Sequence, residues 1–178
     1  MNQEVLPPVS KSGIRWLWIS LLVVVVDQVT KLWIEKTLVL GDRIMLLPVF
    51  DFTRAHNPGA AWSFGAEHGD IARWGFTALA IGVSVVLVVW LRKLPLSSRA
   101  LLICGLVFIL GGAIGNVIDR VEHGYVVDFL LAHWGDAYFP AFNVADIAIN
   151  IGAGCVIIDA IRDWRRERAA AVQGRGQP

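Results

Sequence analysis

Four long apolar stretches set the strongest limit on how this chain can fold. A helix needs about 20 mostly apolar residues to cross the roughly 30 Å hydrocarbon core of a bilayer. We predict transmembrane helices at about residues 14–34, 71–91, 99–121 and 139–161. Hydrophobic residues fill 56% of the 178 positions, so residues 1–178 are expected to form a single, mainly α-helical polytopic membrane domain.

Basic residues in short segments indicate how these helices are oriented. The N-terminal segment, the loop after the second helix and the C-terminal tail carry Lys11, Arg15, Arg92, Lys93, Arg99, Arg162, Arg165, Arg166, Arg168 and Arg175. The positive-inside rule places these segments, including the tail at 163–178, in the cytoplasm. The stretch 35–70 and the loop 122–138 then lie outside. The first stretch lacks a small-x-small cleavage site, so we expect a retained helix rather than a signal peptide.

The first outer stretch, 35–70, has the character of surface β-structure. Its part 45–54 is apolar and β-prone, Asn57-Pro58-Gly59 is a turn signal, and 60–64 is again extended in pattern. We predict a small sheet or hairpin on the membrane surface, with Trp62 and Phe64 reaching into the headgroup layer. A short surface helix is expected within 65–70.

Polar residues inside the apolar stretches are candidates for function. A charge at the bilayer centre costs about 2.5–3.5 kcal/mol on insertion scales, so such residues are rarely accidental. The set comprises Asp27, Lys31, Asn116, Asp119, Arg120, Asp128, Asn143 and Asp146. With the predicted orientation, these residues converge near the outer boundary of the membrane, which suggests a reaction centre there.

The spacing of these residues places several of them on shared helix faces. Asp27 and Lys31 are four residues apart and can pair on one face of the first helix. Asn143 and Asp146 are three residues apart and share a stripe of the fourth. Gly111 and Gly115 have the small-xxx-small spacing that lets another helix approach closely.

Two carboxylates are sufficient to hydrolyse a peptide bond without a metal, a thiol or an activated serine. Like charges a few ångströms apart cannot both ionise, so the pair shares a proton. One carboxylate takes a proton from water while the other gives one to the substrate carbonyl. From the residues alone, the identity of the pair stays open among Asp119, Asp128 and Asp146.

Five ordered blocks of the chain match one family. They are Asp27-Gln28-Val29-Thr30-Lys31, Asn57-Pro58-Gly59-Ala60-Ala61-Trp62-Ser63-Phe64, Gly111-Gly112-Ala113-Ile114-Gly115-Asn116-Val117-Ile118-Asp119-Arg120, Val126-Val127-Asp128-Phe129 and Phe142-Asn143-Val144-Ala145-Asp146. With them the chain resembles the lipoprotein signal peptidases, or signal peptidase II, which are aspartic proteases of bacterial inner membranes. The resemblance covers about residues 14–162.

The resemblance implies an activity and a site. It implies catalytic aspartates at Asp128 and Asp146 and an outer β-cradle built from the first outer stretch. It implies a substrate, a prolipoprotein whose cysteine already carries diacylglycerol, cut just before that cysteine. It also implies a multi-pass protein of the bacterial cytoplasmic (inner) membrane with its active site toward the periplasm. We expect contact with membrane phospholipid, no metal or other cofactor, no nucleic acid and no obligate protein partner.

The remaining polar residues receive supporting roles. We expect six residues to shape the site or contact an extended substrate backbone, namely Asn57, Gly59, Asn116, Asp119, Arg120 and Asn143. Asp27 and Lys31 are expected to form a structural pair that holds the first helix. A dyad of Asp119 with Asp146 is the main rival to the pair Asp128 and Asp146.

Three other functional classes compete with a peptidase. A small transporter or proton channel also carries intramembrane acids, but usually near the midplane between repeats, whereas these acids gather toward one face. A metal-dependent lipid phosphotransferase that uses aspartates would be sensitive to chelators. A non-catalytic assembly factor would tolerate Asp128→Asn.

Overall fold

The computed structural model describes residues 6–59, 69–97 and 99–174. Within them, four helices are long and apolar enough to cross a membrane. They are α1 (Leu17–Thr37), α2 (Gly69–Lys93), α3 (Ala100–Glu122) and α4 (Val144–Gly174). Two short 3-10 helices, Val9–Lys11 and Gly13–Trp16, precede α1. The predicted mainly α-helical, polytopic architecture is therefore confirmed.

Helix α3 is the centre of the bundle. It contacts each of the other three membrane helices, and it is the most buried of the four. Its Ile103, Leu106, Val107 and Leu110 form an apolar core with Leu91 of α2. Burial of apolar surface is not a driving force against lipid, so the close fit of the side chains is what favours this arrangement.

Glycines of α3 allow its neighbours to come close. A Cβ at Gly111 would lie 2.8 Å from the carbonyl oxygen of Ser20 in α1. A Cβ at Gly105 would lie 2.7 Å from the carbonyl oxygen of Gly152 in α4. A Cβ at Gly115 would overlap the carboxylate of Asp27, so the predicted small-xxx-small pair Gly111 and Gly115 faces α1 and admits it.

An antiparallel sheet lies at the end of the bundle where α1 ends. Its strands are β1 (Arg43–Leu47), β2 (Phe50–Asn57), β3 (Val126–Trp134) and β4 (Ala137–Tyr138), in the order β1-β2-β3-β4. In the β2–β3 pair, Ala55 is opposite Asp128 and Asn57 is opposite Val126. Phe129 of β3 packs against Ile34 and Leu38 at the end of α1, which fixes the sheet on the helices.

The sheet differs from the expected one in two ways. The stretch 45–54 is broken by a turn at Pro48 and Val49, because proline cannot donate to a strand ladder. The loop expected at 122–138 contributes β3 and β4, since its run of β-branched and apolar residues finds a partner in β2. The expected strand at 60–64, with Trp62 and Phe64, lies outside the described residues, as does most of the short surface helix expected at 65–70.

Helix α4 is displaced along the chain from its expected span. It begins at Val144 instead of 139, because the preceding segment hydrogen-bonds to β3 through the backbone of Phe142 and Leu130. It also continues to Gly174, through most of the expected tail. The guanidinium of Arg99 forms ion pairs with Asp159, near the end of the expected span, and with Asp163 on the extension, which fixes this part of α4 against the start of α3.

Candidate active site

Asp128 and Asp146 meet where the sheet joins the bundle. Asp128 lies in β3, and Asp146 lies in the first turn of α4. Asn143 contacts both: its side-chain amide donates to Asp128 Oδ1 at 2.7 Å, and its backbone N–H donates to Asp146 Oδ2 at 3.1 Å. One asparagine thus holds the two carboxyl groups beside each other.

The start of α4 explains how Asp146 is fixed. Asn143 precedes the helix, and its side-chain oxygen accepts the backbone N–H of Asp146 at 3.0 Å. Together with the return bond from the Asn143 N–H, this is the reciprocal arrangement of a capping box. The carboxylate of Asp146 also lies at the positive end of the helix dipole, where a negative charge is stabilised.

Two further asparagine amides complete the hydrogen bonding of the pair. Asn57 at the end of β2 donates to Asp128 Oδ2 at 3.0 Å, and Asn116 of α3 donates to Asp146 Oδ1 at 2.9 Å. Asn57, Asn116 and Asn143 were each expected to shape the site or contact an extended substrate backbone. In the structure, their amide donors are directed at the two carboxyl groups.

The two carboxyl groups have unequal surroundings. Asp128 is 3% exposed, and burial, helped by the negative charge of Asp146, raises its pKa from 3.8 to about 7. Asp146 is half-buried and lines a pocket of about 360 Å³. The pocket is otherwise lined by Phe139, Phe142, Ile147, Asn150 and Ile151. Asp128 therefore holds a proton more readily than a free aspartate does, while Asp146 is open to a bound molecule.

A second cluster of charges lies deeper in the bundle. The ammonium of Lys31 is 2.8 Å from Asp27 Oδ2 and 2.8 Å from Asp119 Oδ2, so the expected Asp27–Lys31 contact is present and Asp119 joins it. We call these three residues the Lys31 cluster. All three are at least 97% buried. The side-chain amide of Gln28 also donates to Asp119, at 2.8 Å. Sequence reasoning gave Gln28 no role, although Gln28 lies in the block Asp27-Gln28-Val29-Thr30-Lys31 that matches the family.

Arg120 and Gly59 lie at the edge of the site. One guanidinium nitrogen of Arg120 donates to the carbonyl of Asn116 at 3.1 Å, and its buried Nε has no hydrogen-bond partner among the described residues. Gly59 has a φ of +96°, which favours glycine, and its N–H donates to the side chain of Asn57 at 3.0 Å. Gly59 thus supports Asn57, and through it Asp128.

The donor set around the pair consists of carboxyl and amide groups. Over the part of the chain that the structure describes, no group of three or more His, Cys, Asp or Glu side chains is arranged to hold a metal ion. What the geometry offers is a pair of adjacent carboxyl groups of unequal burial, next to an open pocket. Such a pair can transfer protons to and from a bound water.

Comparisons with known proteins agree on one family. The family model described as "Signal peptidase (SPase) II" matches residues 19–162. A "Lipoprotein signal peptidase" of Shewanella pealeana is 50% identical over 149 residues, which cover 84% of this chain and 87% of that protein. A second, from Shewanella amazonensis, is 47% identical over 152 residues, covering 85% and 90%.

Solved structures share the fold. A structure described as a bacterial membrane enzyme, determined by the in meso method at 2.3 Å resolution, superposes with a TM-score of 0.74 and 32% sequence identity. The match covers 86% of this chain and 92% of that one. A related structure at 1.9 Å resolution gives the same TM-score and identity, with 97% of its chain covered.

Proposed function

Since the chain belongs to the signal peptidase II family of aspartic peptidases, we propose that it removes the signal peptide from prolipoproteins carrying a diacylglyceryl cysteine, by cutting just before that cysteine. The matched relatives are named lipoprotein signal peptidases, which supports the substrate class. The observation that carries the mechanism is the bridging of Asp128 and Asp146 by Asn143.

In this proposal, Asp128 is the acid and Asp146 the base. Burial and the neighbouring negative charge raise the pKa of Asp128 to about 7, so Asp128 holds a proton below neutral pH. Asp146 lines the pocket, so its carboxylate can hold the water that attacks the substrate. These roles describe the pair in its singly protonated state.

The reaction proceeds in two proton-balanced steps. Asp146 takes a proton from the water while the water oxygen forms a bond to the carbonyl carbon of the substrate. At the same time, Asp128 gives its proton to the carbonyl oxygen. The resulting gem-diol collapses when Asp146 returns its proton to the amide nitrogen and Asp128 takes one from a hydroxyl group. The C–N bond breaks, which leaves a signal-peptide carboxyl group and the free amine of the lipidated cysteine.

The surroundings of the pair suit a substrate that stays in lipid. The pocket beside Asp146 is walled mainly by apolar side chains, among them Phe139, Phe142 and Ile147, which can take apolar parts of the peptide or of the surrounding phospholipid. The Nε of Arg120 has no hydrogen-bond partner among the described residues, and this supports a role for Arg120 as a donor to a substrate carbonyl. Substrate contact by Arg120, and site shaping by Asn57, Gly59, Asn116, Asp119 and Asn143, are part of the proposal.

We also propose the orientation expected from the basic residues. Both termini face the cytoplasm, and the sheet with the aspartate pair lies toward the periplasm of a bacterial inner membrane. A site at this boundary lets the acyl chains remain in the outer leaflet while the peptide bond reaches water.

The proposal is tested by cleavage of a diacylated lipobox peptide with purified protein in lipid or detergent. Asp128→Asn and Asp146→Asn should each lower kcat by about 10²–10⁴-fold or more, because each removes one of the two proton-transfer groups. Activity should persist in EDTA.

Asp163→Asn is the matched control, because it is the same substitution in the same helix, α4. Asp163 forms an ion pair with Arg99 at the other end of the bundle from the aspartate pair. Its turnover should equal that of the unmodified protein. Normal turnover by either Asp128→Asn or Asp146→Asn would refute the mechanism, and loss of activity in EDTA would favour a metal-dependent enzyme.

A further inference from the structure

Each acid of the Lys31 cluster holds the backbone next to one proposed catalytic aspartate. Asp119 Oδ2 accepts the N–H of Val127 at 3.0 Å, and Val127 immediately precedes Asp128 in β3. Asp27 Oδ1 accepts the N–H of Ala145 at 2.9 Å, and Ala145 immediately precedes Asp146 in α4. Two different elements are thus fixed by equivalent contacts to one cluster.

Lys31 ties these two contacts together. An ammonium has three N–H donors, and that of Lys31 has three acceptors: Asp27, Asp119 and the side-chain oxygen of Asn116 at 3.2 Å. The amide of Asn116 in turn donates to Asp146. The side-chain amide of Gln28 contacts both acids of the cluster as well, which further limits their movement.

From this geometry we propose that the Lys31 cluster is a positioning unit that sets the separation of Asp128 and Asp146. The inference rests on the proposed function and goes beyond locking α1 against its neighbours. The cluster fixes β3 and α4 relative to each other through α1 and α3, without touching substrate.

Energetics support a role in geometry. A buried ion cluster is often no more stabilising than apolar side chains of similar volume, because removing its charges from water is costly. Hydrogen bonds to two backbone N–H groups, by contrast, define the position and direction of the backbone segments that precede Asp128 and Asp146. Proton transfer requires both carboxyl groups to lie within hydrogen-bond reach of one water, and a misplacement of about 1 Å can cost about 100-fold in rate.

Asp27→Ala is the most direct test, because it releases Ala145 and leaves Lys31 paired with Asp119. We expect kcat for the diacylated peptide to fall about 10- to 100-fold with KM changed less than about twofold, since substrate contacts are intact. Asp27→Asn keeps an acceptor oxygen for Ala145 and should recover most of that loss.

Ser20→Ala is the matched control for a purely structural effect. Ser20 is also buried in α1, and its hydroxyl donates to the carbonyl of Val107 in α3 at 2.7 Å, but it contacts neither Val127 nor Ala145. It should lower the thermal midpoint of unfolding, followed by tryptophan fluorescence, while kcat stays within about twofold. Equal loss of kcat in Ser20→Ala and Asp27→Ala would overturn the proposal.

Asp119→Ala is the second variant, because it releases Val127 on the β3 side, and its kcat should fall in the same range. If Asp27→Ala or Asp119→Ala folds and has a normal kcat, the proposal is overturned. If neither variant folds, the proposal is also overturned, because the Lys31 cluster is then required for folding. Asp146→Asn in the same assay distinguishes failure of the positioning role from failure of the proposed aspartate pair. If it is inactive while Asp27→Ala is normal, only the positioning role fails; if it is active, the aspartate pair itself fails.

Discussion

Asp128 and Asp146 carry the same side chain, yet their environments differ in depth and in access to solvent. Asp128 lies in the sheet among buried residues, whereas Asp146 opens to a pocket. Both accept asparagine amides, so hydrogen bonding alone does not distinguish them. The difference in burial is what separates their proposed roles, and it leads to two predictions about pH.

The first prediction concerns the rate. Because the pKa of Asp128 is raised to about 7, kcat/KM should decline above that pH as the pair loses its shared proton. Burial lowers the pKa of the nearby His56, so that residue titrates on the acid side and does not produce this decline. The measurement is the pH profile of peptide cleavage, and a kcat/KM that stays constant to pH 9 would contradict it.

The second prediction concerns stability. In the folded protein Asp128 binds its proton more tightly than in the unfolded chain, where the pKa is near 3.8. Its contribution to the free energy of unfolding is therefore complete below about pH 4 and is lost as the pH rises through about 7. Relative to the non-titrating Asp128→Asn, the unmodified protein should lose on the order of 3–4 kcal/mol between pH 4 and 8.

Thermal unfolding of both proteins in the same lipid at pH 4, 6 and 8 measures this difference. The thermal midpoint of Asp128→Asn should rise relative to that of the unmodified protein as the pH increases. A constant difference between the two midpoints would show that Asp128 ionises normally in the folded state.

The approach of α3 to α4 controls where Asp146 lies. A Cβ at Gly112 would overlap the carbonyl of Ala145, the residue before Asp146, and would lie 2.8 Å from Ile149 Cγ1. Gly112→Ala should therefore separate the helices at the level of the site, cost about 1–3 kcal/mol of stability and lower kcat. Thermal unfolding and peptide cleavage together check both effects.

Gly82→Ala provides the matched control. It is the same change in a membrane helix, but in α2, where no described atom lies within 4 Å of the added Cβ. Alanine favours a helix over glycine by about 0.5–1 kcal/mol, so this variant should be at least as stable as the unmodified protein and fully active. Equal behaviour of the two alanine variants would argue against a close-approach role for Gly112.

The helices could be predicted from the sequence because hydropathy is a local property. The apolar stretch of α3 is expected at 99–121 and observed at Ala100–Glu122. Strand β3 could not be placed, because Val126–Trp134 becomes a strand only by pairing with β2, about 75 residues earlier in the chain. The start of α4 was misplaced for the same reason, since Phe142 hydrogen-bonds to Leu130.

The residues of the candidate site could be predicted from the sequence, but their contacts with one another could not. The sequence motifs identified Asp128, Asp146 and three asparagines as candidate site residues. The structure places these asparagines, Asn57, Asn116 and Asn143, in contact with the two aspartates. No spacing rule revealed that the asparagine amides point to carboxyl groups, or that Asp119 holds the backbone of Val127. Those partners come from different helices and strands, so only the assembled bundle defines them.

The orientation of the whole chain yields a labelling prediction. Asp136 is exposed at the turn between β3 and β4, and Glu167 is exposed on the extension of α4. In a background with Cys104 and Cys155 changed to Ser, Asp136→Cys should react with a membrane-impermeant maleimide in spheroplasts. Glu167→Cys should react only after lysis, because short segments rich in Lys and Arg next to a membrane helix remain in the cytoplasm. The reverse pattern would invert the proposed topology.

The hydrogen bond from Ala145 to Asp27 joins residues that are 118 positions apart in the sequence, one in the first membrane helix and one in the last. During synthesis, α1 and α3 are therefore complete before Ala145, the partner of Asp27 in α4, has been made. Under the proposed mechanism, peptide cleavage can begin only when α4 has brought Asp146 beside Asp128. A chain truncated ahead of α4 lacks Asp146 and, under the proposed mechanism, should be unable to cut neighbouring membrane proteins.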